Sequence, residues 1–273
     1  MSALSCNGRR VLAALVVLPI LVAACGAAGA RESQSGKHGG GGSPTSTKPP
    51  APTTTTQAAV KPVNGKVTVL EIGDSLGIDL GWGMQWALTN DSSVNLVEDA
   101  KGDSGLVNTT FYNWDAQLQA ELQANHPQVV VVFLGGNDVQ NFYQGNLYVS
   151  FGSAPWKQAY GARVGTLMSE ATASGARVLW VGMPIMGPAH FSSEIAQVDA
   201  VFQSEAAKHP GVTYFSSWKL FSTPSGQFNA GTTDITGTAS LLRDSDGIHL
   251  AVGGEDLLGH AVVTEMKAIY RLP

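Results

Sequence analysis

Short apolar runs alternate with amphipathic segments from residue 66 to the carboxyl terminus, which is typical of strands and helices that build a parallel sheet. The clearest run, VVVVFL at 129–134, indicates a central strand buried on both faces. Five strands with four intervening helices and a closing helix predict a three-layer α/β/α sandwich with its ligand site at the carboxyl ends of the strands. The predicted strands are 66–72, 94–97, 129–134, 177–181 and 212–215, and the predicted helices are 76–88, 114–124, 156–174, 192–208 and 252–270.

The amino terminus has the pattern of an export signal. Arg9 and Arg10 precede an apolar run that ends at Ala24, and this run is shorter than the roughly 20 residues that cross a membrane. Its last residues, Val-Ala-Ala-Cys at 22–25, resemble a bacterial lipobox, which implies cleavage of a 1–24 signal peptide and lipidation of Cys25. An ordinary secreted protein or a short uncleaved anchor is the alternative.

The next segment, 25–65, is rich in Gly, Ser, Thr and Pro and has no periodic apolar residues. Because such a segment cannot bury a core, we predict a disordered tether that links the lipidated cysteine to a domain over 66–273.

Charge and cysteine content narrow the functional classes. The 66–273 segment holds 10 Lys and Arg against 20 Asp and Glu, a net charge of −10, which argues against a nucleic-acid-binding protein. Two cysteines in the whole chain cannot form a disulfide-rich scaffold, and no Cys/His cluster indicates a zinc site.

Four short motifs fall at the predicted carboxyl edge of the sheet. They are Gly-Asp-Ser-Leu at 73–76, Gly-Asp-Ser-Gly at 102–105, Gly-Gly-Asn-Asp at 135–138 and Asp-Gly-Ile-His at 246–249. In this order the motifs resemble those of the SGNH (GDSL) hydrolase superfamily over essentially all of 66–273. The resemblance implies a flavodoxin-like five-stranded sheet, serine esterase activity, and no cofactor or metal.

The residue types support this chemistry. A serine hydroxyl is a weak nucleophile that needs an adjacent base, and His249 can serve Ser75 in this way while Asp246 orients the imidazole. Asp244 is a competing candidate for the acid. Taken alone, Ser75 would more commonly be a helix N-cap.

Ester cleavage also needs donors for the developing oxyanion. The resemblance implies the backbone N–H of Ser75, the side-chain amide of Asn137, and a glycine N–H from the second motif. We favour Gly105 for that glycine and keep Gly102 as the alternative.

Substrate contacts are predicted at the same edge of the sheet. The candidates are Asp74, Asp138, His190 and Trp156, although the spacing of Trp156 with Tyr160 also suits a core-facing helical stripe. The polar and aromatic segment 140–155 is a candidate substrate loop, or a plain surface loop.

The leading functional hypothesis is an esterase at the outer face of the cell membrane that acts on an ester-bearing small molecule, a lipid or a cell-envelope glycan. An O-acyltransferase with the same triad is the first alternative. A non-catalytic glycan-binding module is another. A metal-dependent phosphoesterase is the last, with ligands among Asp74, Asp79, Asn137, Asp138 and His249.

Overall fold

The computed structural model describes residues 59–231 and 240–273. The predicted signal peptide, the predicted lipidation site at Cys25 and most of the predicted tether lie outside these residues and stay predictions. The elements, in chain order, are β1 (Val67–Gly73), α1 (Ser75–Ala87), β2 (Val94–Ala100), α2 (Trp114–Asn125), β3 (Val129–Phe133), β4 (Phe142–Gln144), β5 (Leu147–Val149), α3 (Ala154–Ala173), β6 (Arg177–Gly182), α4 (Ala189–Ala206), β7 (Val212–Ser216) and α5 (Val252–Tyr270).

The main sheet is parallel, with the strand order β2-β1-β3-β6-β7. This order confirms the predicted flavodoxin-like α/β architecture. Every residue of β3 is buried, as its continuous apolar run predicted. Strand β2 lies on one side of β1, and β3 lies on the other. The carboxyl ends of β1 and β3 therefore flank the point at which the strand order reverses, and doubly wound folds bind their ligands there.

Helices cover the sheet in two groups. Helix α1 packs against α5, while α3 packs against both α2 and α4. Gly83 of α1 and Gly259 of α5 meet backbone to backbone, and a β-carbon on either would overlap the other helix. This contact joins the helix that begins at Ser75 to the helix that follows His249.

The segment 140–155 contains structure that the hydrophobic pattern did not predict. Strands β4 and β5 form a hairpin in which Tyr143 pairs with Tyr148, with ring centroids 5.1 Å apart. The connecting Gly145 has a φ of 59°, a conformation that glycine adopts without steric cost. A Gly-Asn pair between two aromatic stretches is a hairpin signal, which was available in the sequence.

The folded contacts begin before residue 66. The Val60 N–H donates to the Tyr270 carbonyl at 2.9 Å, so this residue of the predicted tether lies against the end of α5. Among the described residues, none of the helices has the length and apolar character that crossing a membrane requires.

Candidate active site

Three side chains from the two ends of the domain meet at the carboxyl edge of the sheet. Ser75 Oγ lies 2.9 Å from His249 Nε2, although the two residues are 174 positions apart. His249 Nδ1 lies 2.7 Å from Asp246 Oδ2. With the Nδ1 proton held by the carboxylate, Nε2 is free to accept the Ser75 proton, which is the geometry of a nucleophile, a base and an orienting acid.

Ser75 is the first residue of α1 rather than its N-cap. Asp74 is the cap, and its Oδ1 accepts from the Leu76 N–H at 2.9 Å. Its Oδ2 accepts from the N–H groups of Gly135 and Gly136 after β3, at 2.9 and 2.8 Å. Burial raises the pKa of Asp74 to about 6, although these three donors lower it. Asp74 therefore ties the nucleophile turn to the neighbouring strand.

The acid and base share one tight turn. Asp246 Oδ1 accepts from the backbone N–H of Ile248 and His249 at 2.7 and 3.0 Å. Partial burial alone lowers the pKa of His249, but the Asp246 carboxylate outweighs it and the pKa lies above its ordinary value. Asp244 makes only backbone contacts in this turn, with its carbonyl accepting from Gly247, so the geometry favours Asp246 as the acid.

Two buried charged residues form hydrogen bonds with the backbone on either side of His249. Asp79 on α1 accepts from the Leu250 N–H at 2.8 Å, which connects the nucleophile helix to the turn. Arg243, 2% exposed, donates to the Ile248 carbonyl and to the Ile185 carbonyl after β6. Sequence reasoning missed the role of Arg243, because its partners are carbonyls that no motif reveals.

The two glycines of the second motif occupy different environments. Gly105 is buried, and a β-carbon there would overlap the Asp138 carboxylate. A β-carbon on Gly102 would have no other atom within 4 Å. The Gly102 N–H has no hydrogen-bond partner among the described residues. The preceding Lys101 N–H donates to the Gly73 carbonyl, so Gly102 lies beside the turn that carries Ser75.

The orientation of the peptide group between Ser104 and Gly105 also distinguishes the two glycines as possible donors. Asn137 Nδ2 donates to the Ser104 carbonyl at 2.9 Å. Because a trans peptide points its C=O and N–H in opposite directions, the Gly105 N–H points away from the Asn137 amide. This geometry argues against Gly105, which we favoured from the sequence as the oxyanion donor of the second motif. It makes Gly102 the better candidate.

Asp138 fixes the rest of this loop from inside the core. Its carboxylate accepts from the N–H groups of Leu106 and Val107 at 3.0 and 2.8 Å and from the Tyr160 hydroxyl at 2.7 Å. Arg163, one helical turn after Tyr160, donates to the carbonyls of the same two loop residues. Asp138, Tyr160 and Arg163 form a clamp on residues 105–107, hereafter the loop clamp.

Several predicted substrate contacts have other positions in the structure. Asp74, Asp138 and Trp156 are each 0% exposed, so they cannot touch a substrate directly. Trp156 stacks on Tyr160 with ring centroids 4.6 Å apart, which fits the core-stripe interpretation. His190 is mostly exposed on α4 and pairs with Glu194 at 3.4 Å rather than with the triad.

The carboxylates proposed as metal ligands are occupied by protein donors. Asp74 and Asp138 accept backbone N–H groups, and Asp79 accepts from Leu250. Within 59–231 and 240–273, no three His, Cys, Asp or Glu side chains come together as metal ligands would. These three carboxylates therefore serve as hydrogen-bond acceptors within the described fold.

Solved structures of low identity share this architecture. TesA is 24% identical with a TM-score of 0.51, over 74% of this chain and 99% of that chain. A GDSL-like lipase from Bacteroides thetaiotaomicron is 13% identical with a TM-score of 0.54, over 77% and 91%. A carbohydrate esterase of family 3 from Talaromyces cellulolyticus is 12% identical with a TM-score of 0.51, over 76% and 100%.

These likenesses, with the sheet order, define a protein with the SGNH hydrolase fold. Residues 68–265 match the family described as protein of unknown function DUF459, and the chain belongs to that family. A comparison with curated proteins returned no match.

Proposed function

We propose that this protein is an extracytoplasmic serine esterase that cleaves an O-acyl ester through an acyl intermediate on Ser75. The observation that carries the proposal is the continuous contact from Asp246 through His249 to Ser75, at 2.7 and 2.9 Å. The coarser class, a hydrolase of ester bonds, is also what the names of the solved structures with this fold suggest.

In the first half-reaction, Ser75 Oγ attacks the ester carbonyl carbon while His249 Nε2 takes its proton. The carbonyl oxygen becomes an oxyanion, which the N–H groups of Ser75 and Gly102 and the amide of Asn137 would stabilise. The C–O bond to the alcohol then breaks, and His249 returns the proton to the departing alkoxide. In the second half-reaction, His249 deprotonates water and the hydroxide attacks the acyl carbon. The bond from that carbon to Ser75 Oγ then breaks, His249 returns the proton to Ser75, and a carboxylic acid leaves.

The exposure of the base supports water as the acceptor. The side chains of His249 and Asp246 are 39% and 43% exposed, so solvent has direct access to the group that would activate it. An acyltransferase would need to exclude water from this position. Incubation with an ester donor and a sugar acceptor, followed by product analysis, tests this: free acid supports hydrolysis, and an acylated sugar would make the protein a transferase.

The test of the mechanism compares full-length wild-type protein with Ser75→Ala on 4-nitrophenyl acetate, butyrate and octanoate. Exposed Ser169 on α3 provides a matched control, Ser169→Ala. We expect activity in wild type and Ser169→Ala and its loss in Ser75→Ala. A fluorophosphonate should add to the Ser75 peptide in mass spectrometry. Full esterase activity in Ser75→Ala would overturn the mechanism.

We also propose that the protein is anchored at the outer face of the cell membrane by a lipid on Cys25. The lipobox-like sequence at 22–25 and the Gly- and Pro-rich segment after it support this location. Metabolic labelling with a palmitate analogue tests it, with Cys6→Ala as the matched control. Label should persist in Cys6→Ala and disappear in Cys25→Ala, and unlabelled wild-type protein in the medium would show simple secretion instead.

A further inference from the structure

Arg243 carries a positive charge into the core beside the turn that holds His249. The residue is 2% exposed, and its guanidinium lies 4.5 Å from the centroid of the Phe221 ring and 5.9 Å from that of the Phe228 ring. No ion pair in the part of the chain that the structure describes involves Arg243. A buried cation without a paired carboxylate is uncommon, because removal of a charge from water costs free energy.

Packing alone does not account for an arginine at this position. The Nε–H of Arg243 is buried and has no hydrogen-bond partner among the described residues. Burial lowers the pKa of Arg243 to about 10 and the carboxylates of Asp79 and Asp246 raise it, so the guanidinium is charged at neutral pH. An apolar side chain would avoid the cost of burying both the charge and this N–H. The bonds that the guanidinium does make therefore point to its role.

One of these bonds fixes the peptide group that precedes His249. Arg243 Nη1 donates to the Ile248 carbonyl, and the His249 N–H of the same peptide donates to Asp246 Oδ1 at 3.0 Å. Because the C=O and N–H of a trans peptide point in opposite directions, these two partners bond the peptide from opposite sides. The orientation of the peptide plane, and with it the direction in which the His249 side chain leaves the backbone, is set by both.

The peptide group that follows His249 is bonded from both sides as well. Its carbonyl accepts from the Asp244 N–H at 3.0 Å, and the Leu250 N–H donates to Asp79 at 2.8 Å. Asp79 belongs to α1, the helix that begins at the nucleophile, so this peptide is fixed relative to that helix. The guanidinium supplies the corresponding contact for the preceding peptide.

The second Nη group of the guanidinium bonds a different loop. Arg243 Nη2 donates to the Ile185 carbonyl after β6 at 2.8 Å. The same loop contacts the histidine turn again where the Gly187 N–H donates to the Gly247 carbonyl at 2.8 Å. Because a guanidinium is planar and holds its donors at fixed angles, its two Nη bonds set the position of the turn relative to this loop. The loop in turn follows an interior strand of the sheet.

We infer that Arg243 is a positioning residue that holds the His249 imidazole within reach of Ser75. Being buried, it acts through the Ile248 carbonyl rather than by contact with the reacting atoms. His249 Nε2 lies 2.9 Å from Ser75 Oγ, and a small rotation of the preceding peptide would lengthen this contact, through which the proton moves. The effect on rate rests on the proposed esterase function, whereas the effect on the turn does not require turnover.

The kinetic test compares full-length wild type with Arg243→Lys and Arg243→Met on 4-nitrophenyl acetate. Lysine keeps the charge without the planar pair of donors, and methionine removes both. We expect kcat per active site, counted by titration with a fluorophosphonate, to fall by about tenfold to a hundredfold in both variants while KM stays near its wild-type value. A wild-type kcat in either variant would overturn the inference, since the planar donors would then be dispensable.

Tyr270→Phe is the matched control for loss of a buried hydrogen bond. The buried Tyr270 hydroxyl donates to the Val178 carbonyl at 2.7 Å, at the end of β6 opposite the catalytic edge. We expect this variant to unfold at a lower urea concentration than wild type and to keep the wild-type kcat. A loss of kcat equal to that of the Arg243 variants would make the role of Arg243 purely structural.

Hydrogen exchange followed by mass spectrometry tests the turn without any reaction. In both Arg243 variants, exchange of the amides at 244–251 should increase by more than any increase in β3, which reports global unfolding. The same amides should exchange at the wild-type rate in Tyr270→Phe. An increase no larger than that in β3 would overturn the inference. If wild type hydrolyses no ester but these amides exchange faster in the Arg243 variants, the esterase proposal fails and Arg243 remains the residue that holds the turn.

Discussion

The side-chain amide of Asn137 donates to the carbonyl of Ser104 at 2.9 Å and so fixes the direction of the peptide group between Ser104 and Gly105. In that direction the Gly105 N–H points away from Asn137. The second-motif donor for an oxyanion is therefore better supplied by Gly102, which lies in the turn from Lys101 to Ser104.

Gly102 allows a test that removes only its N–H. It is the second residue of that turn, and the φ of 62° at Asp103, the third residue, is typical of a type II turn, in which proline is common at the second position. Proline there would lack the N–H donor. We expect Gly102→Pro to lower kcat by about 10²–10³, the cost of one oxyanion donor. Gly102→Ala keeps the N–H, meets open space and should retain most activity. Equal activity in both variants would show that Gly102 donates nothing to the transition state.

The acid of the triad can be identified from a pH profile. His249 must be neutral to act as the base, so kcat/KM should rise as pH increases through its raised pKa. Asp246→Asn removes the carboxylate that raises this pKa, so the inflection should move to lower pH and the maximum should fall by about 10³–10⁴. Asp244→Asn, in the same turn, should leave the profile in place. The reverse pattern would make Asp244 the acid.

The loop clamp predicts a catalytic effect at a distance from the reacting atoms. Tyr160→Phe removes one donor from the buried Asp138 carboxylate and should lower the free energy of unfolding by about 1–3 kcal/mol. Tyr214→Phe is the matched control, since its hydroxyl donates to Asp199 in a comparable pair beyond β6. If the clamp positions the catalytic loop, only Tyr160→Phe should also lower kcat, by about tenfold to a hundredfold. Equal losses of kcat would assign Tyr160 a purely structural role.

Glu71 predicts a pH-dependent stability. Both carboxylate oxygens are buried and have no hydrogen-bond partner in the part of the chain that the structure describes. Burial, followed by the charges of Glu98, Asp74 and Asp99, raises the pKa of Glu71 well above its ordinary value. A carboxyl with a raised folded-state pKa costs stability as pH rises above its unfolded pKa, near 4.3, with a slope of up to about 1.4 kcal/mol per pH unit. The advantage of Glu71→Gln in chemical denaturation should therefore grow from pH 5 to pH 8. Glu265→Gln on α5 is the control, and a pH-independent difference would contradict this assignment.

Local patterns predicted the fold because each main element carries its own signal. The all-apolar β3 and the alternation around it predicted the sheet, and the four motifs predicted which side chains meet at its edge. The β4–β5 hairpin was not predicted because each of its strands is three residues long, which is too short to show a clear alternation of apolar and polar residues. Burial of Asp138 and the carbonyl contacts of Arg243 depend on residues remote in sequence, and the orientation of the Ser104–Gly105 peptide leaves no trace in composition.

The glycine contact between α1 and α5 makes the geometry of the triad tolerant of changes in the size of core side chains. Because Gly83 and Gly259 touch through main chain alone, the spacing of the two helices is determined by atoms that every amino acid shares. Core side chains elsewhere can drift in size over evolutionary time without changing how far Ser75 lies from His249. Both positions are closed to any larger residue, so relatives that retain the chemistry should keep glycine at each of them.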